Sequence, residues 1–165
     1  MKKVLIAIPL LLLAGCFEPE TGPGQIRYDR DTCEICRMII SDPRFGTQVR
    51  HGPDKELVKF DDIGDALHWV EENGHRDDPD LEIWVPDMDR PDTWLEARQA
   101  HYLAGQVTPM DYGYGALSTA RDGSVSYEEM RTGVLARGVT SRCDTPNDPT
   151  HDHDHDHDHN SGTGT

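Results

Sequence analysis

Cys33-Glu34-Ile35-Cys36-Arg37-Met38 places two thiols and a thioether within six residues. A C-x-x-C turn brings its two sulfurs close together. Two thiolates and a thioether form a soft donor set, which selects Cu(I) over hard cations. The same spacing serves two other chemistries. Dithiol–disulfide exchange also uses C-x-x-C, but that motif normally opens a helix after a buried strand. Here Arg27 to Thr32 is polar, and Ile39-Ile40 continues apolar. Structural zinc needs four ligands, and the body of the chain has no second C-x-x-C or H-x-H pair. Spacing alone leaves all three readings open.

A second constellation is Thr108-Pro109-Met110-Asp111-Tyr112-Gly113-Tyr114-Gly115. Met110 stands in a polar, glycine-rich segment rather than on an apolar stripe, although packing in a core is the ordinary fate of a methionine. The glycines let backbone come close to another group, and Pro109 fixes the approach. Asp111 and His101 are auxiliary donor candidates, and Met88 is a weaker one. His51, His68, His75 and His101 are scattered, without the spacing of a catalytic triad or an H-E-x-x-H site. No turnover is expected. After Cys143, His151, His153, His155, His157 and His159 alternate with aspartates, and an extended chain would point them all one way. Such N/O donors suit Cu(II), Zn(II) or Ni(II), and a tethered tail would raise the local metal concentration. With no apolar residue to bury in 144–165 beyond the prolines, disorder is expected there.

The charge agrees with cations as ligands. The 165 residues carry a formal −15 at pH 7. Six acids lie beyond Cys143, so the body from Phe17 to Cys143 retains about −11. That field disfavours nucleic-acid phosphates and anionic lipid surfaces.

Met1-Lys2-Lys3 followed by apolar Val4 to Leu13 reads as a signal peptide, too short for the roughly 20 residues a bilayer span needs. Leu13-Ala14-Gly15-Cys16 then reads as a lipobox, with cleavage after residue 15 and a lipid on the Cys16 thiol. Phe17 at the next position is not the aspartate of an inner-membrane retention signal, which leaves outer-membrane sorting open. Residues 16–27 are expected to form a tether, since Glu18 to Gly24 holds two prolines and two glycines. With Cys16 lipidated, Cys33, Cys36 and Cys143 remain. An odd number in an oxidising compartment means a free thiol, or thiols kept for metal.

The elements that must position these residues lie in 28–143, a span that can bury one core. Residues 44–60 read as a hairpin around Gly52-Pro53-Asp54-Lys55. Asp61 or Asp62 caps a helix with Ile63, Ala66, Leu67 and Val70 on one face, and Asn73-Gly74 stops it. His68 and Trp69 read as packing residues. A strand over 81–85 follows. Periodicity does not settle helix against strand over 93–103. Residues 112–119 suit a strand, Arg121-Asp122-Gly123 a turn and 127–135 a helix. The expected fold is α+β: two small ββαβ modules in one compact domain, with the His/Asp tail outside it.

Five motifs in order resemble the NosL family: Cys33-x-x-Cys36-x-Met38, Phe60-Asp61-Asp62-Ile63, Trp84-Val85-Pro86-Asp87, Trp94-Leu95-x-Ala97 and Thr108-Pro109-Met110-x-Tyr112-Gly113. The resemblance covers roughly residues 30–135. It implies a periplasm-facing Cu(I) chaperone, lipid-anchored through Cys16, that helps assemble the copper sites of nitrous oxide reductase with an ABC-type maturation complex. It puts Met110 first among metal ligands, followed by Cys33, Cys36 and Met38. One departure stands out: the family more often has glycine where this chain has Asp111. The other readings of the same residues are an exported thiol–disulfide protein and a general metal-sequestering lipoprotein.

Overall fold

The computed structural model describes residues 20–139. The signal peptide, Cys16, Cys143 and the tail histidines lie outside the described residues.

The hairpin forms as β1 (Thr47–His51) and β2 (Glu56–Phe60), with Val49 opposite Val58 and His51 opposite Glu56. The helix α1 (Ile63–Glu72) follows. Asp62 is its cap, in extended backbone, with its carboxylate accepting the Gly64 N–H. Asn73 ends the helix and Gly74 takes a left-handed φ of 70°. Next come β3 (Glu82–Asp87) and β4 (Arg90–Glu96), giving an antiparallel sheet in the order β2-β1-β3-β4. The stretch whose periodicity was ambiguous breaks at Ala97–Gln99, a single 3-10 turn, and resumes as β5 (His101–Ala104). Strands β6 (Tyr114–Leu117) and β7 (Ser124–Val125) flank β5 in a second antiparallel sheet, order β6-β5-β7. The helix α2 (Tyr127–Arg137) opens on a capping box between Ser126 and Glu129.

The α+β class and the pair of sheets are as expected. The first module has the order ββαβ and gains β4. The second runs βββα within the described residues, because the three residues 121–123 turn the chain straight into β7 before the helix. The two halves share one core in which Phe60, Ala66 and Leu67 of the first meet Tyr102, Met130 and Val134 of the second. Glu71 of α1 pairs with Arg131 of α2 across the join.

One boundary needs correction. Residues 22–27, assigned above to the tether, are built into the domain. Alternation along β1 sends Val49 to one face and Gln48 and Arg50 to the other, and the N-terminal segment satisfies those two buried polar side chains. Gln48 accepts the Gly24 N–H at 2.7 Å and donates to the Gly24 carbonyl at 3.1 Å, while Arg50 Nε donates to the Gly22 carbonyl at 2.6 Å. A Cβ on Gly24 would stand 2.5 Å from Leu57 Cδ2 and would push that side chain aside. Ile26 then enters the core.

Candidate metal site

The C-x-x-C segment forms a closed loop rather than a helix start. Thr32 bridges to Ile39, the Cys33 N–H donates to the Met38 carbonyl at 2.9 Å, and the Arg37 N–H returns to the Cys33 carbonyl at 3.1 Å. Arg37 turns the chain with a φ of 60°. Two anchors fix the loop to β2. The Glu34 N–H donates to the Lys59 carbonyl at 2.9 Å. Buried Asp31 accepts from Lys59 Nζ at 2.6 Å and from Arg27 through its backbone N–H and Nε, which holds its carboxyl well below the usual carboxylate range.

This loop sets Cys33 and Cys36 over the entry to α1. The Cys33 thiol donates to Asp65 Oδ2 at 3.2 Å, and the Cys36 thiol lies 3.7 Å from both Asp61 oxygens. One donor atom from each of Cys33, Cys36, Asp61 and Asp65 falls within 4.8 Å of all the others. Cys33, Asp61 and Asp65 are buried, whereas Cys36 is half-buried. Among the described residues, no ion pair reaches Asp61 or Asp65.

The electrostatics follow from burial without a counter-charge. Burial pushes the Cys33 thiol far above its ordinary range, and Cys36 rises for the same reason. Asp61 and Asp62 also rise, chiefly through burial. Burial first, then the neighbouring Asp61 and Asp62, pushes Asp65 up to about 7. Metal-free, all four groups hold their protons more tightly than they would in water. A soft cation placed among these atoms would displace those protons and supply the missing positive charge. The same shifts disfavour disulfide exchange, which needs a thiolate stabilised near neutral pH.

The profile of the NosL family matches residues 26–129. The chain belongs to the NosL family. Among solved structures it is similar to the crystal structure of the copper chaperone NosL from Shewanella denitrificans, with a TM-score of 0.50 and 19% identity over 67% of this chain and 87% of that one. At that identity the likeness is one of fold. No curated protein sequence matches the chain.

Three of the five NosL motifs converge on one place, the start of α1, while the Trp84–Asp87 and Trp94–Ala97 motifs pair with each other in β3 and β4. Asp62 holds the Thr-Pro-Met loop there: its carboxylate accepts the Met110 N–H at 3.3 Å and a hydrogen bond from the Thr108 hydroxyl. Thr108 Oγ1 in turn accepts the Gly113 N–H at 3.1 Å. Met110 is 2% exposed and belongs to the same apolar cluster as Cys33, while Met38 is 38% exposed. Asp111 is exposed with a φ of 64°. Glycine reaches that left-handed region without cost and aspartate tolerates it, so backbone geometry accounts for the departure from the family's glycine. His101 lies apart in the second sheet, opposite Leu117. His68 is buried and packs near Tyr112, with ring centroids 5.7 Å apart.

Sequence reasoning missed Asp61 and Asp65 as donors, treating Asp61 only as a cap candidate. The available signal was three acids within five residues at the start of a helix, more than capping requires.

Asp65 gives a pH prediction for the metal-free protein. Its folded pKa, about 7, exceeds the usual aspartate value. The folded state therefore holds the proton more tightly, and this contribution to stability is lost as pH rises from about 4 through 7. Asp65→Asn keeps an acceptor for Cys33 and presents its amide towards Asp61 without a charge to bury. At pH 8, with a chelator present, the variant should melt several degrees above the parent, and the two should converge towards pH 4. Equal melting temperatures at pH 8 would show that Asp65 ionises freely in the fold.

Proposed function

We propose that the chain is a Cu(I) chaperone, anchored by lipid at Cys16 and facing the periplasm. Its cargo goes to nitrous oxide reductase or to the ABC-type complex that matures it. The supporting observation is the convergence of Cys33 and Cys36 with Asp61 and Asp65 in a chain of the NosL family. Thiolates of Cys33 and Cys36 bind the ion, Asp61 and Asp65 balance its charge, and the thioethers of Met110 and Met38 complete the soft donor set. Half-buried Cys36 suits the point where an incoming ligand replaces the first bond, and buried Cys33 suits the last to let go. Transfer of this kind needs no nucleophile or oxyanion site, so the protein acts without turnover.

Two thiols and two carboxylates also satisfy the four-ligand requirement of zinc. A competition titration decides between the metals. Full-length protein with all five tail histidines replaced by Asn is titrated with Cu(I) against a chromophoric Cu(I) chelator, then with Zn(II). Tight 1:1 Cu(I) binding that excess Zn(II) does not displace is the expected result. Zn(II) displacing Cu(I) would favour a zinc protein, and no Cu(I) binding without the tail histidines would favour general sequestration. Incubating the Cu(I)-loaded protein with copper-free nitrous oxide reductase then tests delivery through the appearance of the enzyme's copper absorption.

A further inference from the structure

Apart from the cysteine site, three elements bring two more histidines together. His51 is the last residue of β1, and His75 follows the end of α1, where its N–H donates to the Val70 carbonyl at 3.0 Å. Their ring centroids stand 4.3 Å apart at an interplanar angle of 41°. Trp69, from α1, backs both rings: it stacks on His75 at 5.0 Å and meets His51 edge-on at 4.9 Å. Both imidazoles are half-buried and line an open groove of about 580 Å³.

Carboxylates accompany the pair. Glu56, the cross-strand partner of His51, places Oε2 at 3.9 Å from His51 Nε2. Asp78 accepts the Gly52 and Asp80 N–H groups at 2.8 Å each and interacts electrostatically with His75 and His51. Imidazole nitrogens with a carboxylate and solvent are the donor set of borderline divalent ions. Two nitrogens on one tetrahedral ion lie about 3.3 Å apart, a separation that small ring rotations bring within reach of centroids at 4.3 Å. Aromatic packing alone explains why Trp69 is there. It does not explain why a second histidine packs against His51, whose Nε2 has a carboxylate 3.9 Å away.

We propose that His51 and His75, joined by the exposed Glu56 carboxylate once it turns toward them, and with Asp78 balancing charge, form a second cation site, taking a divalent ion of the Zn(II)/Cu(II) class. It uses none of the residues of the thiol site, so either site can fail while the other holds. Thr32 and Glu34, which flank Cys33, line the same groove. The two sites thus open on neighbouring stretches of surface.

The test is a titration of the full chain, its five tail histidines replaced by Asn, with zinc chloride alone. Long-range ¹H–¹⁵N NMR then reads each imidazole separately, so zinc taken up at the cysteines does not enter the result. The ring nitrogens of His51 and His75 should shift together and saturate at one equivalent beyond any zinc that the cysteines take up first. Glu56→Gln, at an exposed position, should weaken the response severalfold. His75→Asn should weaken the response at His51 at least tenfold. Unmoved His51 and His75 resonances overturn the proposal. So does a His51 response that survives His75→Asn unchanged.

Discussion

Replacing Cys33 and Cys36 together by serine is expected to lower Cu(I) affinity at least about a thousandfold, roughly 4 kcal/mol. The size follows from chemistry rather than shape. A serine hydroxyl is nearly isosteric, and it can donate to Asp65 and Asp61 as the thiols do. The loop closed by the Thr32–Ile39 bridge and the Glu34–Lys59 bond involves neither sulfur, so the fold should persist. What disappears is the pair of soft, deprotonatable donors. A hydroxyl does not ionise in a buried, acidic surrounding, and a hard oxygen is a poor ligand for Cu(I). Competition against a chromophoric Cu(I) chelator measures the loss, with circular dichroism as the check on folding. An affinity within tenfold of the parent would move the cargo away from the C-x-x-C loop and onto the thioethers of Met110 and Met38.

The second large effect is expected at Gly64, which makes no chemistry of its own. Alanine usually favours a helix over glycine by about 1 kcal/mol, and α1 would gain that. Yet a Cβ at Gly64 would lie 2.1 Å from the ring of Tyr112. Tyr112 is buried, and its loop is held at the same spot through Met110 and Thr108 on Asp62. The ring cannot yield without shifting that loop. Overpacking costs about 1–3 kcal/mol, and with the ring held on both sides the upper end applies, so Gly64→Ala should melt about 10 °C lower despite the helix gain. The same displacement moves Met110, so Cu(I) affinity should fall together with stability. A melting temperature within 2 °C of the parent would mean that the loop relaxes freely and that its docking on α1 is not a tight fit.

Several parts of this fold were legible because they depend on local signals. The hairpin, the α1 cap at Asp62, the stop at Asn73-Gly74 and the start of α2 each follow from turn chemistry or period within a few residues. The stretch over 93–103 was not legible. Trp94 and Leu95 belong to β4, Tyr102 to β5, and the 3-10 turn between them interrupts any single period. The docking of 22–27 was also hidden. It depends on the buried Gln48 and Arg50 needing backbone partners, and only the assembled sheet creates that need.

The candidate site divides in the same way. The sequence alone determined the sulfur chemistry, because C-x-x-C-x-M and the Thr-Pro-Met loop name soft donors whatever surrounds them. Only the tertiary structure decided what accompanies the sulfurs. Asp61 and Asp65 stand 25 and 32 residues from the cysteines they meet, and no local rule pairs a loop with the start of a distant helix. Packing placed those carboxylates beside the thiols in a buried pocket, where the lack of a counter-charge raises their proton affinities together. It also left Cys36 half-buried and Cys33 fully buried, an asymmetry that two cysteines three residues apart do not carry in sequence.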